Sequence, residues 1–184
     1  MKRVKLALLA AQLITLCFGV PGCAGQSKVE IEMQDGGKIE LELDRKNAPI
    51  TVKNFVSLVS SGFYDGLTFH RIIPNFMIQG GDPQGTGTGG SDKKIKGEFA
   101  LNGVNNSISH VRGVISMARS NDYDSASNQF FITNSDCPRL DGQYAAFGRV
   151  ISGMDVVDRI SAVQTDGDDR PLEPVVIKSI RVVK

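Results

Sequence analysis

The segment 69–82, with the sequence FHRIIPNFMIQGGD, holds side chains that could act together in chemistry. On a strand alternate side chains share a face, so Phe69 and Arg71 are expected to point the same way, and Met77 and Gln79 are expected to share a face further on. One face could therefore combine an arginine, a glutamine and a thioether, which is typical of a mostly apolar pocket with a few fixed polar groups. The competing interpretation is that Arg71 is a solvated surface charge and that the apolar residues around it belong to the core.

A second tract, residues 129–133 with the sequence QFFIT, places two phenylalanines side by side. Because neighbouring side chains on a strand point to opposite faces, Phe130 and Phe131 should lie on different sides of the sheet. One could fill the core while the other lines a surface groove, or both could be buried by sheet and helix. Strand geometry alone leaves these two arrangements open.

Several other kinds of chemistry have little support in the chain. There is no G-x-S-x-G motif, and Cys137 has no obvious histidine partner, so it is interpreted as a spare loop residue and not as a nucleophile. The glycine-rich segment 84–90 lacks the Lys-Ser/Thr ending of a phosphate-binding loop. Only two histidines, His70 and His110, are present, which nearly excludes a His-rich metal site. A formal net charge of +1 gives no electrostatic reason to expect nucleic-acid binding.

The N-terminal residues are set apart from the fold by their composition. A basic start precedes an apolar run of 15 residues, 6–20, which is short for a membrane-spanning helix because such a helix needs about 20. The sequence VPGC that ends at Cys23 resembles the lipobox of bacterial lipoproteins, in which the cysteine is lipidated and becomes the first residue. We therefore expect a lipoprotein signal peptide at 1–22, a tether at 23–28 and one folded domain at 29–184.

Two amphipathic helices and about eight short strands are expected to position these tracts. The helix predicted at 49–60 has Val52, Phe55 and Val59 on one face, and a second helix is predicted at 154–162. The predicted strands are 29–33, 38–43, 68–73, 76–79, 113–117, 129–133, 145–150 and 175–183. Many short strands with glycine-rich turns indicate a closed barrel or a sandwich, whose open ends the helices could cap.

Several of these tracts together resemble the signature sequences of the cyclophilins. The matching segments, in chain order, are 69–82, 85–90, 113–118 (GVISMA), 128–132 (NQFFI) and 140–150 (LDGQYAAFGRV, in its bacterial form). The resemblance covers roughly residues 29–183. It implies a closed eight-stranded antiparallel β-barrel capped by two α-helices, with a substrate groove on the outer surface of the barrel.

The resemblance also implies peptidyl-prolyl cis/trans isomerase activity, with Arg71 as the catalytic residue. The positions that match substrate-binding residues are Phe76, Met77, Phe131 and Leu140 for the proline pocket, Gln79 beside the arginine, Ala118 and Arg119 for the residue before proline, and Gln129 and Tyr144 on the groove wall. Two positions depart from many eukaryotic members. Arg139 stands where those members have a groove tryptophan, and Tyr144 stands where they have a histidine.

The expected partners follow from this activity and from the N-terminus. Proline-containing segments of unfolded or exported proteins are the expected substrates, and no metal or cofactor is expected because the reaction makes and cuts no bond. The protein is expected outside the cytoplasm, anchored to a membrane by lipid on Cys23, and monomeric because a closed barrel has no free sheet edge. The alternative is a proline-binding chaperone or scaffold with little turnover. The presence of Arg71, Phe76 and Phe131 favours the enzyme.

Overall fold

The computed structural model describes residues 27–91 and 93–183, and its strands close into one barrel. The strands are β1 (Ser27–Met33), β2 (Lys38–Leu43), β3 (Thr68–Ile73), β4 (Met77–Gly80), β5 (Val114–Met117), β6 (Phe130–Thr133), β7 (Ala146–Ser152) and β8 (Val175–Val183), and the helices are α1 (Pro49–Ser60) and α2 (Met154–Ser161). The order around the barrel is β1-β2-β7-β5-β6-β4-β3-β8, with every neighbouring pair antiparallel. The predicted fold class, a closed eight-stranded antiparallel barrel with two helices, is confirmed.

The element boundaries lie within two residues of the predicted ones. Strand β1 begins at Ser27, two residues before the predicted strand, and so includes the last two residues of the predicted tether. Helix α2 ends at Ser161, one residue earlier than predicted, and β7 continues to Ser152. The predicted signal peptide at 1–22 and the predicted lipidation site at Cys23 lie outside the described residues.

The inside of the barrel is filled by a cluster of aromatic side chains. Phe55 of α1 lies 5.3 Å from Tyr64, 5.5 Å from Phe130 and 5.1 Å from Phe147, measured between ring centroids. Phe69 of β3 completes the cluster at 6.0 Å from Phe130, with the two rings nearly perpendicular. Such edge-to-face pairs stabilise a core beyond the burial of their area. Helix α1 is therefore fixed to the barrel through one central ring.

Helix α1 receives its N-terminal cap from a residue far along the chain. Ala48 precedes the helix and offers no side-chain oxygen. The buried Glu98 carboxylate instead accepts hydrogen bonds from the backbone N–H groups of Ile50, at 3.0 Å, and Thr51, at 2.7 Å. A carboxylate at this end of a helix satisfies unpaired donors and complements the helix dipole. The long segment between β4 and β5 is thereby tied to the helix.

A β-bulge in β3 changes which residues face outward. Phe69 is paired with Gly80 and Arg71 with Gln79, so two steps along β3 correspond to one step along β4 and His70 is the extra residue. As a result Phe69 points into the core, where it is fully buried, while Arg71 points outward and is exposed. The prediction that these two residues share a face was wrong, because strict alternation does not survive an inserted residue.

Candidate functional site

A small cavity of about 170 Å³ lies on the outer surface of the barrel. It is lined by nine residues: Arg71, Phe76, Met77, Gln79, Ala118, Arg119, Phe131, Leu140 and Tyr144. All nine were predicted site residues. The fold brings them together from positions as far apart in the sequence as β3 and the segment before β7. The tenth predicted groove residue, Gln129, lines the adjoining cavity.

The register of three strands places the central residues in one row. Arg71 on β3 is opposite Gln79 on β4, and Gln79 is opposite Phe131 on β6. Opposite residues of antiparallel strands have neighbouring side chains, so guanidinium, amide and phenyl ring stand side by side. The predicted face combining Arg71, Met77 and Gln79 is confirmed as a lining of this cavity.

The two adjacent phenylalanines of β6 point to opposite faces of the sheet, one into the core and the other into the surface cavity. Phe130 is fully buried in the barrel core. Phe131 belongs to a second apolar cluster on the outside of the sheet, together with Met77, Cys137 and Leu140. Phe76 and Tyr144 are partly buried against this second cluster and form the cavity's rim. The cavity therefore has an apolar floor that is separate from the barrel core.

Cys137 lies in a loop, as interpreted, but it is packed in the apolar cluster beneath the cavity without lining the cavity itself. The residue is 3 % exposed, and its Sγ atom lies 3.4 Å from the carbonyl oxygen of Ser135 and 3.8 Å from that of Phe76. A free buried cysteine packs as a small hydrophobic side chain. Its loop position in the sequence gave no sign of this contact.

Arg71 is held from one side by a loop that sequence analysis did not single out. Its Nε donates to the Asp169 carboxylate at 3.3 Å, and the backbone N–H of Ile72 donates to the Asp169 carbonyl oxygen at 2.8 Å. Both side chains of the ion pair are partly exposed, at 45 % and 40 %. Among the described residues Arg71 makes no other side-chain hydrogen bond, so its terminal N–H groups are available at the cavity.

Gln79 is oriented by a chain of amides. Its Nε2 donates to Gln129 Oε1 at 2.8 Å, and Gln129 Nε2 donates in turn to the carbonyl oxygens of Gly87 and Gly89, at 3.0 and 2.7 Å. This fixes the direction of the Gln79 amide and turns its oxygen away from Gln129. Gln129 thus orients Gln79, and it also lines the adjoining cavity.

The glycine-rich loop beside Gln129 is organised around a carboxylate. The buried Asp82 side chain accepts hydrogen bonds from the backbone N–H groups of Gln84, Gly87 and Gly89, at 2.8, 2.6 and 3.1 Å. These hydrogen bonds hold the pKa of Asp82 below its usual value against the opposing effect of burial, which is the largest single influence. Because these N–H groups already donate to the Asp82 carboxylate, they are not available to a phosphate group.

A buried histidine supports the cavity floor from behind. The His110 ring stacks on Phe131 with centroids 6.2 Å apart and an interplanar angle of 16°. Its Nδ1 lies 2.9 Å from Asp141 Oδ1 and its Nε2 lies 3.1 Å from Ser116 Oγ. Burial lowers the pKa of His110, opposed by the Asp141 carboxylate. The neutral ring therefore donates from Nδ1 to Asp141 and accepts at Nε2 from the Ser116 hydroxyl.

This Ser-His-Asp arrangement has the hydrogen bonds of a hydrolase triad but not its access. Ser116 is fully buried and the His110 side chain has no exposed surface. A nucleophile must reach its substrate, and this hydroxyl cannot. The network therefore positions Phe131 in the floor of the cavity. Sequence analysis missed it because the three residues come from three separate segments.

Arg119 forms the far wall through its side chain. Its guanidinium lies 5.1, 5.0 and 4.7 Å from the ring centroids of Phe99, Tyr123 and Tyr144. It also donates to the carbonyl oxygen of Gln143, from Nε at 3.0 Å and from Nη2 at 2.9 Å. A cation enclosed by three rings is strongly positioned. Arg119 thus fixes Tyr144 at the cavity as well as lining it.

A larger groove of about 680 Å³ lies between α2 and β8, away from these residues. Its lining is mostly apolar and includes Met33, Ile160 and Leu172. Of its three charged residues, Asp35 and Arg159 are paired with each other at 2.8 Å and Glu173 is the third. Reactive side chains therefore do not converge there. Within 27–91 and 93–183 no three His, Cys, Asp or Glu side chains are grouped as a metal site, and no helix is long and apolar enough to cross a membrane.

Comparison with known proteins gives a consistent result. The family model described as cyclophilin type peptidyl-prolyl cis-trans isomerase/CLD matches residues 28–182. A peptidyl-prolyl cis-trans isomerase of Schizosaccharomyces pombe is 44% identical over 153 residues, covering 82% of this chain and 97% of the relative. Peptidyl-prolyl cis-trans isomerase A of Dickeya dadantii is 42% identical over 194 residues, covering 100% of this chain and 98% of the relative.

Solved structures show the same similarity in three dimensions. A cyclophilin-type peptidyl-prolyl cis-trans isomerase of Cryptosporidium parvum superposes with a TM-score of 0.80 at 32% identity, covering 87% of this chain and 99% of that one. The same parasite protein in the presence of the dipeptide Ala-Pro superposes with a TM-score of 0.78 at 33% identity, covering 85% and 99%.

Proposed function

Because the chain belongs to the family of cyclophilin-type peptidyl-prolyl cis-trans isomerases, we propose that the cavity around Arg71 is where it turns Xaa-Pro bonds. The protein is an enzyme of that activity. The observation that carries the site assignment is the union, in one cavity, of an available guanidinium with an apolar floor of Met77, Phe131 and Leu140. That pairing suits a prolyl ring whose amide bond must be twisted.

The reaction is a rotation that breaks amide resonance. Its barrier is about 18–20 kcal/mol, and without a catalyst it takes tens to hundreds of seconds. The enzyme need only bind the twisted amide more tightly than either planar isomer. Shortening the time from about 100 s to about 10 ms requires a barrier lower by roughly 5–6 kcal/mol. Anchoring the ring and placing one charged donor can supply that amount.

Arg71 has the properties that this transition state requires. In the twisted amide the proline nitrogen becomes pyramidal and gains a lone pair, which a nearby guanidinium stabilises. Arginine remains charged at any working pH and its fork is planar and rigid. Because Asp169 holds Nε, the terminal N–H groups of Arg71 are pre-oriented toward the cavity. The apolar floor excludes water and so strengthens the interaction.

The test is exchange between the cis and trans forms of a Xaa-Pro peptide, followed by NMR. We expect Arg71→Ala to lower kcat/KM by about 10²- to 10³-fold, with peptide affinity largely kept, because the lost interaction is one made in the transition state. The kcat/KM of Arg71→Lys should lie between those of the wild type and Arg71→Ala, since lysine keeps the charge but not the planar fork of the guanidinium.

The matched control for Arg71 is Arg112, an arginine of similar exposure, 42 % against 45 %, that is also paired with an aspartate. Arg112→Ala should leave turnover unchanged. Peptide binding by the wild type without acceleration would contradict the assignment of catalysis to this cavity and favour the scaffold alternative. An Arg71→Ala variant as active as the wild type would remove Arg71 from the mechanism.

We further propose that the enzyme is exported and lipid-anchored, and that it assists the folding of exported proteins. The support is the order of features in the sequence: a basic start, the apolar run at 6–20 and the lipobox-like VPGC ending at Cys23. A diacyl-type anchor holds a protein at a membrane surface far better than one acyl chain. The catalytic domain would then lie on the extracytoplasmic side.

Metabolic labelling with radioactive palmitate tests the anchor. The full chain should incorporate label and sediment with membranes, and Cys23→Ser should do neither. Cys17→Ser is the matched control, since it changes a cysteine that leaves with the signal peptide. Equal labelling of the wild type and Cys23→Ser would refute lipidation at this residue.

We also propose that the protein is a monomer. All eight strands have two neighbours, so the barrel offers no free edge for pairing with a second copy. Light scattering after size exclusion should give the mass of one chain at micromolar concentration. A mass of two chains would contradict this proposal.

A further inference from the structure

The substrate cavity and its surroundings carry an excess of positive charge. Arg71 and Arg119 line the cavity itself, Lys94 lines the adjoining one, and Arg139 stands at the rim. Among the described residues that line the two cavities there is no aspartate or glutamate. The whole chain has a formal net charge of only +1, so this excess is local.

The two cavities form one continuous surface. The adjoining cavity has a volume of about 420 Å³ and shares Gln79, Ala118 and Arg119 with the smaller one. A peptide whose proline ring occupies the smaller cavity therefore extends past further cationic groups. Charged side chains on either side of the proline in a bound peptide would therefore interact electrostatically with this surface.

None of the described carboxylates forms a salt bridge with Arg119 or Arg139, and the buried Asp82 beside the adjoining cavity accepts from N–H groups of its own loop. Asp169 faces Arg71 alone, at 3.3 Å from its Nε. Asp141 faces the buried His110 behind the cavity floor, with its Oδ1 2.9 Å from the ring. Arg119 donates to carbonyl oxygens only, among the described residues. Its charge and that of Arg139 are therefore not compensated by a described carboxylate.

Arg139 is the cation best placed to meet a substrate side chain. It is exposed, and its guanidinium carbon lies 4.3 Å from the centroid of the Phe76 ring at the rim of the cavity. Its backbone is also fixed, because its carbonyl oxygen accepts from Gln143 Nε2 at 2.7 Å. A guanidinium resting on an aromatic ring loses little further freedom when it binds a carboxylate, since its fork is already oriented.

Four other exposed arginines of the barrel are paired with carboxylates, whereas Arg45 and Arg170 also lack a described carboxylate partner but line neither cavity. Arg112 is paired with Asp158, Arg149 with Glu42, Arg159 with Asp35 and Arg181 with Asp65. Arg139 makes no such pair among the described residues. An oriented but uncompensated guanidinium beside a binding pocket favours a ligand that brings the missing anion.

We propose that the enzyme selects proline segments carrying aspartate or glutamate close to the proline, and that Arg139 is the specificity-determining residue. This inference rests on the proposed function, because it assumes that substrate lies in the Arg71 cavity. Arg139 acts on the choice of substrate and not on the rotation itself. The chemical class of the favoured substrate is an acidic peptide with an accessible Xaa-Pro bond.

The experiment compares peptides that differ in one residue beside the proline, which is glutamate, glutamine or lysine, first on the N-terminal and then on the C-terminal side. The readout is the ratio of kcat/KM for the glutamate peptide to that for the lysine peptide, within each variant of the full protein. For the wild type at low salt we expect a ratio of about five or more on at least one side, since each exposed ion pair is worth about two- to fivefold.

Substitutions of Arg139 should change this ratio. Arg139→Gln should lower it about two- to fivefold, and Arg139→Glu should abolish or invert it. Arg149→Gln, an exposed arginine away from the cavity, should leave the ratio unchanged. Raising the ionic strength to about 1 M, where the screening length falls to about 3 Å, should bring the wild-type ratio towards one.

The neutral peptide separates failure of the inference from failure of the proposed function. Equal turnover of glutamate and lysine peptides, with the glutamine peptide also turned over, would overturn the acidic preference and leave the isomerase site intact. A wild-type preference that persists in Arg139→Glu would overturn the role of Arg139. Absence of turnover for all three peptides would instead overturn the site on which the inference rests.

Discussion

The hydrogen bonds between Asp141 and His110 should be needed both for stability and for the shape of the proline pocket. Asp141 Oδ1 accepts from the His110 backbone N–H at 2.7 Å and lies 2.9 Å from its Nδ1. In Asp141→Ala both donors lose their acceptor, and the ring nitrogen is buried where water cannot replace it. Leaving one buried donor unsatisfied costs about 1–3 kcal/mol.

The exposure of Asp141 and His110 narrows the loss of stability expected for Asp141→Ala. The Asp141 side chain is 38% exposed, so water can partly replace it for the backbone donor, while the His110 side chain is 0% exposed. We therefore expect Asp141→Ala to lower the free energy of unfolding by about 2–3 kcal/mol. Asp141→Asn keeps an acceptor oxygen and should cost about 1 kcal/mol, which makes it the matched variant.

The same change should reach catalysis through Phe131. His110 stacks on this ring, and a ring that loses its support no longer fixes the pocket floor. We expect kcat/KM of Asp141→Ala to fall about tenfold at a temperature where the variant is fully folded, with less effect in Asp141→Asn. Urea unfolding and NMR exchange on the same samples measure the two quantities.

Two results would refute this reasoning. If Asp141→Ala unfolds at the same urea concentration as the wild type, the carboxylate does not hold His110. If stability falls as expected but turnover of the folded variant is unchanged, then the stacked histidine supports the fold without positioning Phe131. A structure of the variant with the Phe131 ring undisplaced would agree with that second result.

Three further predictions follow from other contacts. Glu98→Ala should lower the free energy of unfolding by about 2–3 kcal/mol in urea melts because two N–H groups of α1 lose their cap, while Glu98→Gln should cost about half as much; equal melting of all three proteins would contradict the capping role. Asp169→Gly, which removes the carboxylate but tolerates the backbone φ of +63°, should lower kcat about two- to fivefold with little change in KM; an unchanged kcat would show that Arg71 needs no such partner. Burial lowers the pKa of both His70 and His110, so the unfolded chain binds more protons below about pH 6.5 and the free energy of unfolding should decrease as the pH falls from about 6.5 to 5. Urea melts of the wild type and His70→Gln across that range should show a smaller decrease in the variant, and equal slopes would contradict the assignment to His70.

The parts of the fold that sequence predicted well are those encoded by local periodicity. The alternation of Val29, Ile31 and Met33 gave the face of β1, and the adjacency of Phe130 and Phe131 gave a residue on each side of β6. Such patterns depend on strand geometry and on the burial of apolar side chains, both of which are local. The closed order of the strands and the collection of nine residues in one cavity came from the resemblance and not from periodicity.

What sequence missed depends on contacts between distant segments or on backbone irregularity. The bulge at His70 reverses the facing of β3, and no residue type marks it in advance. Asp169 reaches Arg71 from 98 positions away, and Glu98 caps a helix that begins 49 positions earlier. The hydrogen bond between His110 and Ser116, behind Phe131, becomes visible only in the folded chain. Aspartates in loops are common, so only the folded chain distinguishes these from ordinary turn residues.

The position of β1 between β2 and β8 has a consequence for how the protein is made. The first strand of the barrel, Ser27–Met33, pairs with the last, Val175–Val183, so the barrel cannot close until almost the whole chain has been synthesised. Pairing of strands so distant in sequence is slow because a long loop must be closed first. A chain still attached to the ribosome therefore lacks the closed barrel until β8 has emerged. The same neighbourhood brings the two ends of the domain together, so a circular permutant joined between β8 and β1 should retain the barrel.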